Sequence, residues 1–510
     1  MKRVKRVLAL LAAFALVLAM AVPAWADKAT YEISTDQANH TYEVYQIFKG
    51  DLSEKTLSNV KWGENTKGRG TAGVGEAVDS TVLATIEGLK GKPDAEILKG
   101  IEQYVDFEKG PFAEVTSTKS ASVPAGYYII KDKDGSQNGK QDAYTNYIVQ
   151  VAGNVKITPK SSIPTVKKEV KDINDSTETA LGEWQKDADH DVNDKVCFRL
   201  TGTLPENYAT YTTYEYIFHD TMSKGLTFDP ASVAIYHGDE KTGTKIDANY
   251  TVSTQSGTNG ETEITIQFAD LKTAVSATSD DKITVVYEAT LNKQSVIGGA
   301  GNPNKVYLEF SNNPNGKGTG KTPEDTVIVF TYKVAANKVD GKGKELAGAG
   351  FKLSKFDKEN NRWELVGYQN VKLDASGDPA ETDGHYEVAD AKATSFAWNR
   401  IDDGKYKLEE FVTPAGYNTI DPVEFDVVAG HADLTLTSLS GTKTTGTVGE
   451  YTFASNNTEG SLTTEIVNQS GTVLPSTGGM GTTVFYVVGG GLMAVAVVLL
   501  VTKKRMENKR

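Results

Sequence analysis

A lysine, an aspartate and an asparagine stand among apolar residues between positions 165 and 312. Lys168 alternates with two valines in the run TVKKEV, Asp220 alternates with two aromatic residues in YIFHD, and Asn312 ends the alternating run VYLEFSN. Successive side chains of a strand point to opposite faces, so each polar group shares a face with apolar neighbours. The alternation therefore predicts that Lys168, Asp220 and Asn312 are buried, and it alone rejects the adjacent Lys167 and Asn313.

A second set with the same order of residue types lies between positions 334 and 468. Lys338 ends the alternating run VAANK, Glu410 ends YKLEE, and Asn468 ends IVN. The same argument predicts that these three side chains lie on apolar strand faces, with Glu409 as the neighbouring alternative to Glu410. Both sets run lysine, acid, asparagine, and each spans its stretch from the first predicted strand to the last.

Burial changes the chemistry of each group in such a set. It favours the neutral amine of lysine, which is a nucleophile, and it raises the pKa of a carboxyl group. A protonated acid can donate a hydrogen bond to the asparagine carbonyl and move protons as ammonia leaves. One interpretation of each set is an ion pair with a hydrogen-bonded asparagine. The repetition of the order favours a covalent reaction between lysine and asparagine.

The carboxyl-terminal end carries a short motif followed by an apolar run from about 484 to 501 and a basic tail from 503 to 510. The motif consists of Leu474, Pro475, Ser476, Thr477 and Gly478. The apolar run is long enough to span a bilayer as a helix, with the basic tail on the cytoplasmic side. This order resembles the Gram-positive cell-wall sorting signal, which implies that a sortase cuts between Thr477 and Gly478. The alternative is an ordinary membrane anchor with a chance pentapeptide.

The amino-terminal end has the pattern of a secretory signal peptide. Four basic residues lie within the first six, an apolar run follows from 7 to 22, and Ala24-Trp25-Ala26 supplies small residues around a cleavage site. We therefore expect residues 1–26 to be removed between Ala26 and Asp27. The mature chain is expected to be secreted.

Composition excludes several classes of function. The net charge of −13 argues against nucleic acid as a partner. The single cysteine, Cys197, cannot form an intrachain disulfide, and we expect it to be a packed strand residue. The scattered histidines give no zinc spacing or catalytic dyad, so no cofactor, no metal and no enzymatic activity are predicted. The acidic run 187–194 departs from a calcium loop at Val192 and Phe198, and is interpreted as a solvated turn, with a bound cation as the less favoured alternative.

The rest of the sequence is typical of β-sandwiches. Short runs rich in Tyr, Thr, Val and Ile are separated by turn residues, and one helix is predicted from about Asp79 to Leu89. We predict an all-β chain of tandem immunoglobulin-like sandwiches in an elongated rod. The predicted parts are a signal peptide at 1–26, an N-terminal domain at 27–162, a second domain at 163–331, a third domain at 332–470, and a tether, sorting signal, span and basic tail at 471–510.

The second and third domains resemble those of sortase-assembled pilins. The third is similar to the collagen-adhesin (Cna) B-type domain, a reversed immunoglobulin-like sandwich, and its run YKLEEFVTPAGY matches the pilin E-box, with Phe411 where Thr is commoner. The resemblance implies two intramolecular isopeptide bonds, from Lys168 to Asn312 and from Lys338 to Asn468. Asp220 and Glu410 are the implied promoting acids.

The segment just before the second domain resembles the pilin motif that supplies an acceptor lysine. Shaft pilins carry Tyr-Pro-Lys here, and this chain has Thr158-Pro159-Lys160 without the upstream Trp. The resemblance implies that Lys160 attacks the sortase acyl-enzyme formed at Thr477 of another subunit. Lys156 is the competing candidate.

These features together resemble the major pilin of a sortase-assembled Gram-positive pilus. The implied partners are a sortase, identical subunits in a covalent homopolymer, minor pilins, peptidoglycan through a housekeeping sortase, and a host or bacterial surface receptor. The implied location is an extracellular pilus anchored to the cell wall. The alternatives are a monomeric wall-anchored adhesin, which needs no Lys160, and a minor pilin at the tip or base.

Overall fold

The computed structural model describes residues 30–471, with gaps at 54–55, 71, 93, 159–161, 173–182, 315, 359 and 446–450. The predicted signal cleavage site, Lys160 and the motif 474–478 lie outside the described residues. In the part of the chain that is described, no helix has the length and apolar character needed to cross a membrane. The described chain forms two compact units, one of residues 30–331 with 430–437, the other of 332–429 with 438–471.

The first unit begins with two small sheets and two helices. Its elements are β1 (Tyr31–Thr35), β2 (Tyr42–Ser53), β3 (Thr56–Trp62), α1 (Ser80–Glu87), α2 (Asp94–Glu102), β4 (Ala113–Val115), β5 (Ala121–Val123), β6 (Gly126–Asp132), β7 (Asn146–Val151) and β8 (Val155–Ile157). The strand orders are β5-β1-β8 and β3-β2-β6-β7, with β4 also on β2. Helix α1 begins where Asp79 accepts a hydrogen bond from the Thr81 amide. The predicted helix is confirmed, whereas α2 was not predicted.

The first unit continues as a sandwich of two larger sheets. Its elements are β9 (Val166–Asp172), β10 (Glu183–Gln185), β11 (Asp187–Asp189), β12 (Lys195–Thr203), β13 (Tyr216–Met222), β14 (Leu226–His237), β15 (Thr244–Lys245), β16 (Thr251–Ser256), β17 (Thr262–Phe268), α3 (Leu271–Ala274), β18 (Lys282–Leu291), β19 (Asn302–Ser311), β20 (Thr319–Lys321) and β21 (Asp325–Phe330). One sheet has the order β10-β9-β12-β18-β14-β15, and the other β11-β21-β19-β13-β17-β16, with β20 on β19.

The core of this sandwich follows from strand alternation. Buried positions alternate with partly exposed ones along β12 and β19. The buried aromatic and aliphatic side chains of both sheets form one continuous cluster, which includes Phe198, Phe218 and Tyr287. A polar group on one of these faces is therefore enclosed between two sheets.

The second unit is another sandwich. Its elements are β22 (Tyr332–Asp340), β23 (Gly350–Asp357), β24 (Arg362–Gln369), β25 (Glu381–Thr382), β26 (His385–Tyr386), β27 (Ser395–Ile401), β28 (Gly404–Val412), β29 (Val423–Ala432), β30 (Thr435–Thr445), β31 (Ala454–Asn456) and β32 (Ser461–Asn468), of which residues 430–437 at the β29–β30 turn group with the first unit. The main sheets have the orders β27-β22-β32-β31 and β24-β23-β28-β29-β30.

The predicted class, an all-β chain of sandwich domains with minor helix near the amino terminus, is confirmed. The division between the units lies at Thr331 and Tyr332, apart from the segment 430–437. The described residues of the first two predicted domains lie in one compact unit, although no sheet joins them.

Candidate functional site

Lys168 lies at the centre of a buried polar network in the first unit. It is on β9 and fully buried, and its ammonium nitrogen Nζ contacts Oδ2 of Asp220 and lies 2.9 Å from the hydroxyl of Tyr287. Asp220 is on β13 in the facing sheet, whereas Tyr287 is on β18 in the same sheet as β9. The network therefore crosses the interior between the two sheets. Lys167, by contrast, is exposed and pairs with Glu169.

The asparagine in this network is Asn304, on β19. Its Nδ2 donates to the Tyr287 hydroxyl at 2.8 Å, and that hydroxyl donates to Oδ2 of Asp220, also at 2.8 Å. Asn304 is fully buried. Within the described residues, Oδ1 of Asn304 and Oδ1 of Asp220 have no hydrogen-bond partner. The amide carbonyl and one carboxyl oxygen of the network are thus both without a hydrogen-bond donor among the described residues.

The prediction that Asn312 is the partner of Lys168 is wrong, because Asn312 does not lie near that lysine. Asp220 pairs with Val306 across β13 and β19, so Asn312 is six residues further along the strand, about 20 Å away at the usual rise. Asn312 instead donates its Nδ2 to the carbonyls of Gln137 and Asp142, at 2.9 and 3.1 Å. Asn304, two residues from Val306 in the other direction, is about 7 Å along the strand.

Burial sets the protonation chemistry of this network. It lowers the pKa of the Lys168 amine to about 8, although the neighbouring Asp220 opposes the shift. It also raises the pKa of Asp220, against the opposing effect of Lys168 and the hydrogen bond from Tyr287. At pH 7 an amine of pKa about 8 is roughly one-tenth neutral, against well under about 0.1% for an ordinary lysine. The site therefore makes the nucleophilic form of lysine accessible.

A second buried lysine, Lys338, lies on β22 in the other unit. Its Nζ donates to the backbone carbonyls of Ile466 and Val339, at 2.9 and 3.2 Å. Strand β32 lies parallel to β22, with Lys338 opposite Ile466 and Asp340 opposite Asn468. The amine is therefore held against the end of the strand that carries Asn468, which is fully buried like Lys338 itself.

Glu410 reaches the same place from the facing sheet. It lies on β28, is 8% exposed, and accepts from Nδ2 of Asn468 at 2.8 and 3.0 Å and from the Ile420 amide at 3.1 Å. Within the described chain, Oδ1 of Asn468 has no hydrogen-bond partner. The structure thus brings Lys338, Glu410 and Asn468 together, as the alternation predicts. Glu409 instead pairs with Lys352 at 3.2 Å.

Burial again governs the pKa values. It lowers the pKa of Lys338 to about 8, with Glu410 opposing the shift, and it raises the pKa of Glu410 against the hydrogen bond from Asn468. Both sites therefore combine a partly neutral amine, an acid that holds its proton more strongly than usual, and a buried amide. These are the reactants and the proton carrier for the formation of an amide between lysine and asparagine.

The structure also describes Lys156, Cys197 and the start of the acidic run 187–194, which lie outside the two lysine sites. Lys156, on β8, is exposed and forms an ion pair with Asp36 at 2.9 Å. Cys197 lies on β12 and is partly buried, as expected of a packed strand residue. The interpretation of the run 187–194 as a solvated turn is wrong at its start, because residues 187–189 form β11 and both of its aspartates are buried.

Comparison with protein families matches three successive parts of the chain. Residues 192–314 match the Gram-positive pilin backbone subunit 2, Cna-B-like domain, which includes Asp220, Tyr287 and Asn304. Residues 332–444 match the SpaA prealbumin-like fold domain, which includes Lys338 and Glu410. Residues 466–508 match the LPXTG cell wall anchor motif.

Individual relatives are similar over most of the chain. The trypsin-resistant surface T6 protein of Streptococcus pyogenes is 24% identical over 431 residues, which are 71% of this chain and 72% of that protein. Among solved structures, the T6 backbone pilin of S. pyogenes is 18% identical, with 88% of this chain and 100% of that chain covered and a TM-score of 0.49. The major pilin SpaD of Corynebacterium diphtheriae is 16% identical, with coverage of 88% and 99% and a TM-score of 0.45. The three family matches thus follow one another along the chain as a Gram-positive pilin backbone domain, a SpaA prealbumin-like domain and an LPXTG cell wall anchor motif.

Proposed function

We propose that this chain is a backbone pilin that forms the shaft of a cell-wall-anchored pilus, as a subunit that a sortase joins covalently to identical subunits. The observation that carries the proposal is the pair of buried lysine, acid and asparagine sites in a chain that ends in a cell-wall anchor motif. The protein is a substrate of its assembly enzyme. Its own chemistry is one internal reaction in each site.

That internal reaction is the formation of an isopeptide bond. Nζ of the neutral lysine attacks Cγ of the asparagine, the new N–C bond forms, and the bond from Cγ to Nδ2 breaks as ammonia leaves. The acid passes its proton to the leaving nitrogen and takes up the proton that the attacking amine releases. The proposed bonds join Lys168 to Asn304 with Asp220 as the acid, and Lys338 to Asn468 with Glu410 as the acid.

The contacts support a distinct role for Tyr287 in the first site. Its hydroxyl contacts all three reacting side chains, namely Nζ of Lys168, Oδ2 of Asp220 and Nδ2 of Asn304, at 2.9, 2.8 and 2.8 Å. A hydroxyl can both donate and accept, so it holds the amine, acid and amide in one chain of hydrogen bonds. Tyr287 is thus placed to pass a proton between the acid and the leaving amide nitrogen.

Polymerisation is proposed to use groups outside the described residues. A sortase cuts between Thr477 and Gly478 and holds Thr477 as an acyl-enzyme, and Lys160 of the next subunit attacks it. The location of Lys160 between β8 and β9, after Pro159, supports this role. Lys156 is the second candidate, although it lies within β8 and is paired with Asp36. Minor pilins and the peptidoglycan, reached through a housekeeping sortase, complete the proposed assembly.

The decisive experiment is an immunoblot, after SDS electrophoresis, of wall material released by muramidase from cells that express the chain. The wild type is expected to give a ladder of high mass, Lys160→Ala a single monomer band, and the matched control Lys156→Ala the wild-type ladder. A ladder lost only in Lys156→Ala would move the acceptor to Lys156. A monomer band in the wild type would contradict the shaft role and favour the monomeric adhesin.

A further inference from the structure

A cluster of three aspartates and one histidine lies in the first compact unit and shares no residue with either lysine site. It joins Asp172 at the end of β9, Asp187 and Asp189 on β11, and His431 in the segment 430–437 that groups with this unit. The three aspartates are each at most 5% exposed. The side chain of His431 is 6% exposed. We propose that this cluster is a binding site for one divalent transition-metal ion, of the Zn²⁺ or Mn²⁺ class.

The two ring nitrogens of His431 face different partners. Nδ1 lies 2.5 Å from Oδ1 of Asp187, while Nε2 lies 3.3 Å from Oδ1 of Asp189 and 3.8 Å from Oδ2 of Asp172. When Nδ1 carries the proton and donates it to Asp187, the lone pair of Nε2 is directed to the other two carboxylates. A carboxylate that orients a metal-binding histidine through its second nitrogen is the usual outer-shell arrangement of such sites.

The distances among the inner groups suit a shared ion. One ligand atom from each of Asp172, Asp189 and His431 lies within 4.8 Å of the other two. Two ligands held at about 2.0–2.1 Å from a tetrahedral metal are themselves about 3.3 Å apart. The separation of 3.3 Å between Nε2 and Asp189 matches that edge, and the separation of 3.8 Å to Asp172 is within a small side-chain adjustment.

A second observation points to a missing ligand. Oδ2 of Asp189 is buried in a fully enclosed side chain and has no hydrogen-bond partner among the described residues. Leaving a carboxylate oxygen in that state is costly unless a cation or donor satisfies it. The three carboxylates of the cluster also carry more negative charge than the imidazole can neutralise, even when the imidazole is protonated.

The carboxylates of Asp172 and Asp187 are held in place by backbone and side-chain donors. The Asp189 amide donates to Oδ1 of Asp172 at 3.2 Å, and the Leu434 amide donates to Oδ2 of Asp187 at 3.0 Å. Gln185 donates to Oδ2 of Asp172 at 2.8 Å. Imidazole nitrogen together with carboxylate oxygen is a donor set for Zn²⁺ or Mn²⁺, whereas Ca²⁺ and Mg²⁺ prefer oxygen alone.

The test is isothermal titration calorimetry of the full-length chain in detergent, stripped of metal with EDTA, with ZnCl₂, MnCl₂ and CaCl₂ as probes. The expected result is one Zn²⁺ or Mn²⁺ ion per chain. His431→Gln and Asp189→Asn should weaken binding at least about 100-fold, and Asp187→Asn by about 10- to 100-fold, because it removes the orienting carboxylate. His219→Gln, which changes a histidine paired with Glu309 on the same unit, is the matched control and should leave binding unchanged.

Circular dichroism of each variant shows whether it folds. If His431→Gln does not fold, the near-isosteric Asp189→Asn tests the proposal instead. The absence of saturable heat with Zn²⁺ and Mn²⁺ in the wild type would overturn the proposal and leave an ion-paired cluster. Stoichiometric binding that survives both His431→Gln and Asp189→Asn would also overturn it. So would binding of Ca²⁺ that is tighter than that of either transition metal and is indifferent to His431.

Discussion

The two buried lysines occupy sites that are built differently from the same residue types. Lys168 and Asn304 lie on facing sheets, so a bond between them would join the two layers of a sandwich. Lys338 and Asn468 lie on neighbouring parallel strands of one sheet, with Glu410 from the facing sheet. The two sites share an amine, an acid and an amide that converge in a dry interior, which is what the proposed reaction requires. That reaction does not require one strand topology.

The acids also have different partners in the two sites. Asp220 accepts from the lysine amine and from Tyr287, whereas Glu410 accepts from the asparagine amide and from the Ile420 backbone. The amine of Lys338 is held by backbone carbonyls instead. The acid thus contacts the nucleophile in one site and the leaving group in the other. In the proposed reaction it exchanges a proton with each of these two groups.

The largest expected effect is the loss of each bond when its asparagine is removed. Asn304→Ala and Asn468→Ala should each prevent the loss of one ammonia, so that the intact mass rises by about 17 Da relative to the wild type after correction for the substitution. Each bond closes a loop of roughly 130 residues, and its loss should lower the free energy of unfolding by about 5 kcal/mol. Mass spectrometry and chemical denaturation measure the two effects.

Asn312→Ala is the control that distinguishes Asn304 on β19 from Asn312, which directly follows that strand. It should keep both bonds, because Asn312 contacts the carbonyls of Gln137 and Asp142 and lies about 20 Å along the strand from Val306, which pairs with Asp220. A chain with Asn312→Ala that retains the extra ammonia would restore Asn312 as the partner of Lys168.

A smaller effect is expected from Tyr287→Phe, which removes only the hydroxyl that links the groups of the first site. Formation of the Lys168–Asn304 bond should slow about tenfold, the equivalent of one hydrogen bond of about 1.4 kcal/mol. The Lys338–Asn468 bond forms in the other unit and should keep its rate. Peptide mass spectrometry at successive times after synthesis follows both bonds in one sample. Equal slowing at both sites would show that the substitution acts through general destabilisation.

The smallest effect is a pH dependence that appears only when the second bond is absent. In Asn468→Ala, Lys338 stays free, and its pKa of about 8 in the folded chain lies below the ordinary value of about 10.4. Between these values the unfolded chain binds more protons, so the free energy of unfolding should rise with pH from about 8 to 10.4, by at most about 3 kcal/mol.

The matched control for this pH dependence is Asn468→Ala combined with Lys338→Met. Denaturation curves of the two variants at successive pH values isolate the contribution of Lys338 from other titrating groups. A rise of the same size in both variants would show that Lys338 is not the group responsible.

Alternation along single strands predicts much of these sites from the sequence. It identifies Lys168, Asp220, Lys338, Glu410 and Asn468 as buried, and all five are. It fails for Asn304 because Asn304 and Asn312 have the same parity along β19 and the residue that follows it, and alternation carries no information about which end of β19 meets β9. That choice depends on the register of β19 against β13, which is a long-range property.

Groups that arrive from distant elements were missed for the same reason. Tyr287 ends the alternating run KITVVY, but nothing local shows that its hydroxyl faces Lys168. Asp187 and Asp189 look like solvated residues of an acidic run until β11 pairs with β21 and His431 approaches from more than 240 positions later.

The parallel pairing of β22 and β32 has a mechanical consequence. The first strand of the second unit and its last run side by side in the same direction, from Lys333 opposite Ser461 to Asp340 opposite Asn468. Tension that enters at Tyr332 and leaves beyond Asn468 pulls these strands along their length in opposite senses. The interstrand hydrogen bonds are then loaded in shear and resist together, and a covalent link from Lys338 to Asn468 would carry the load past residues 339–467 altogether.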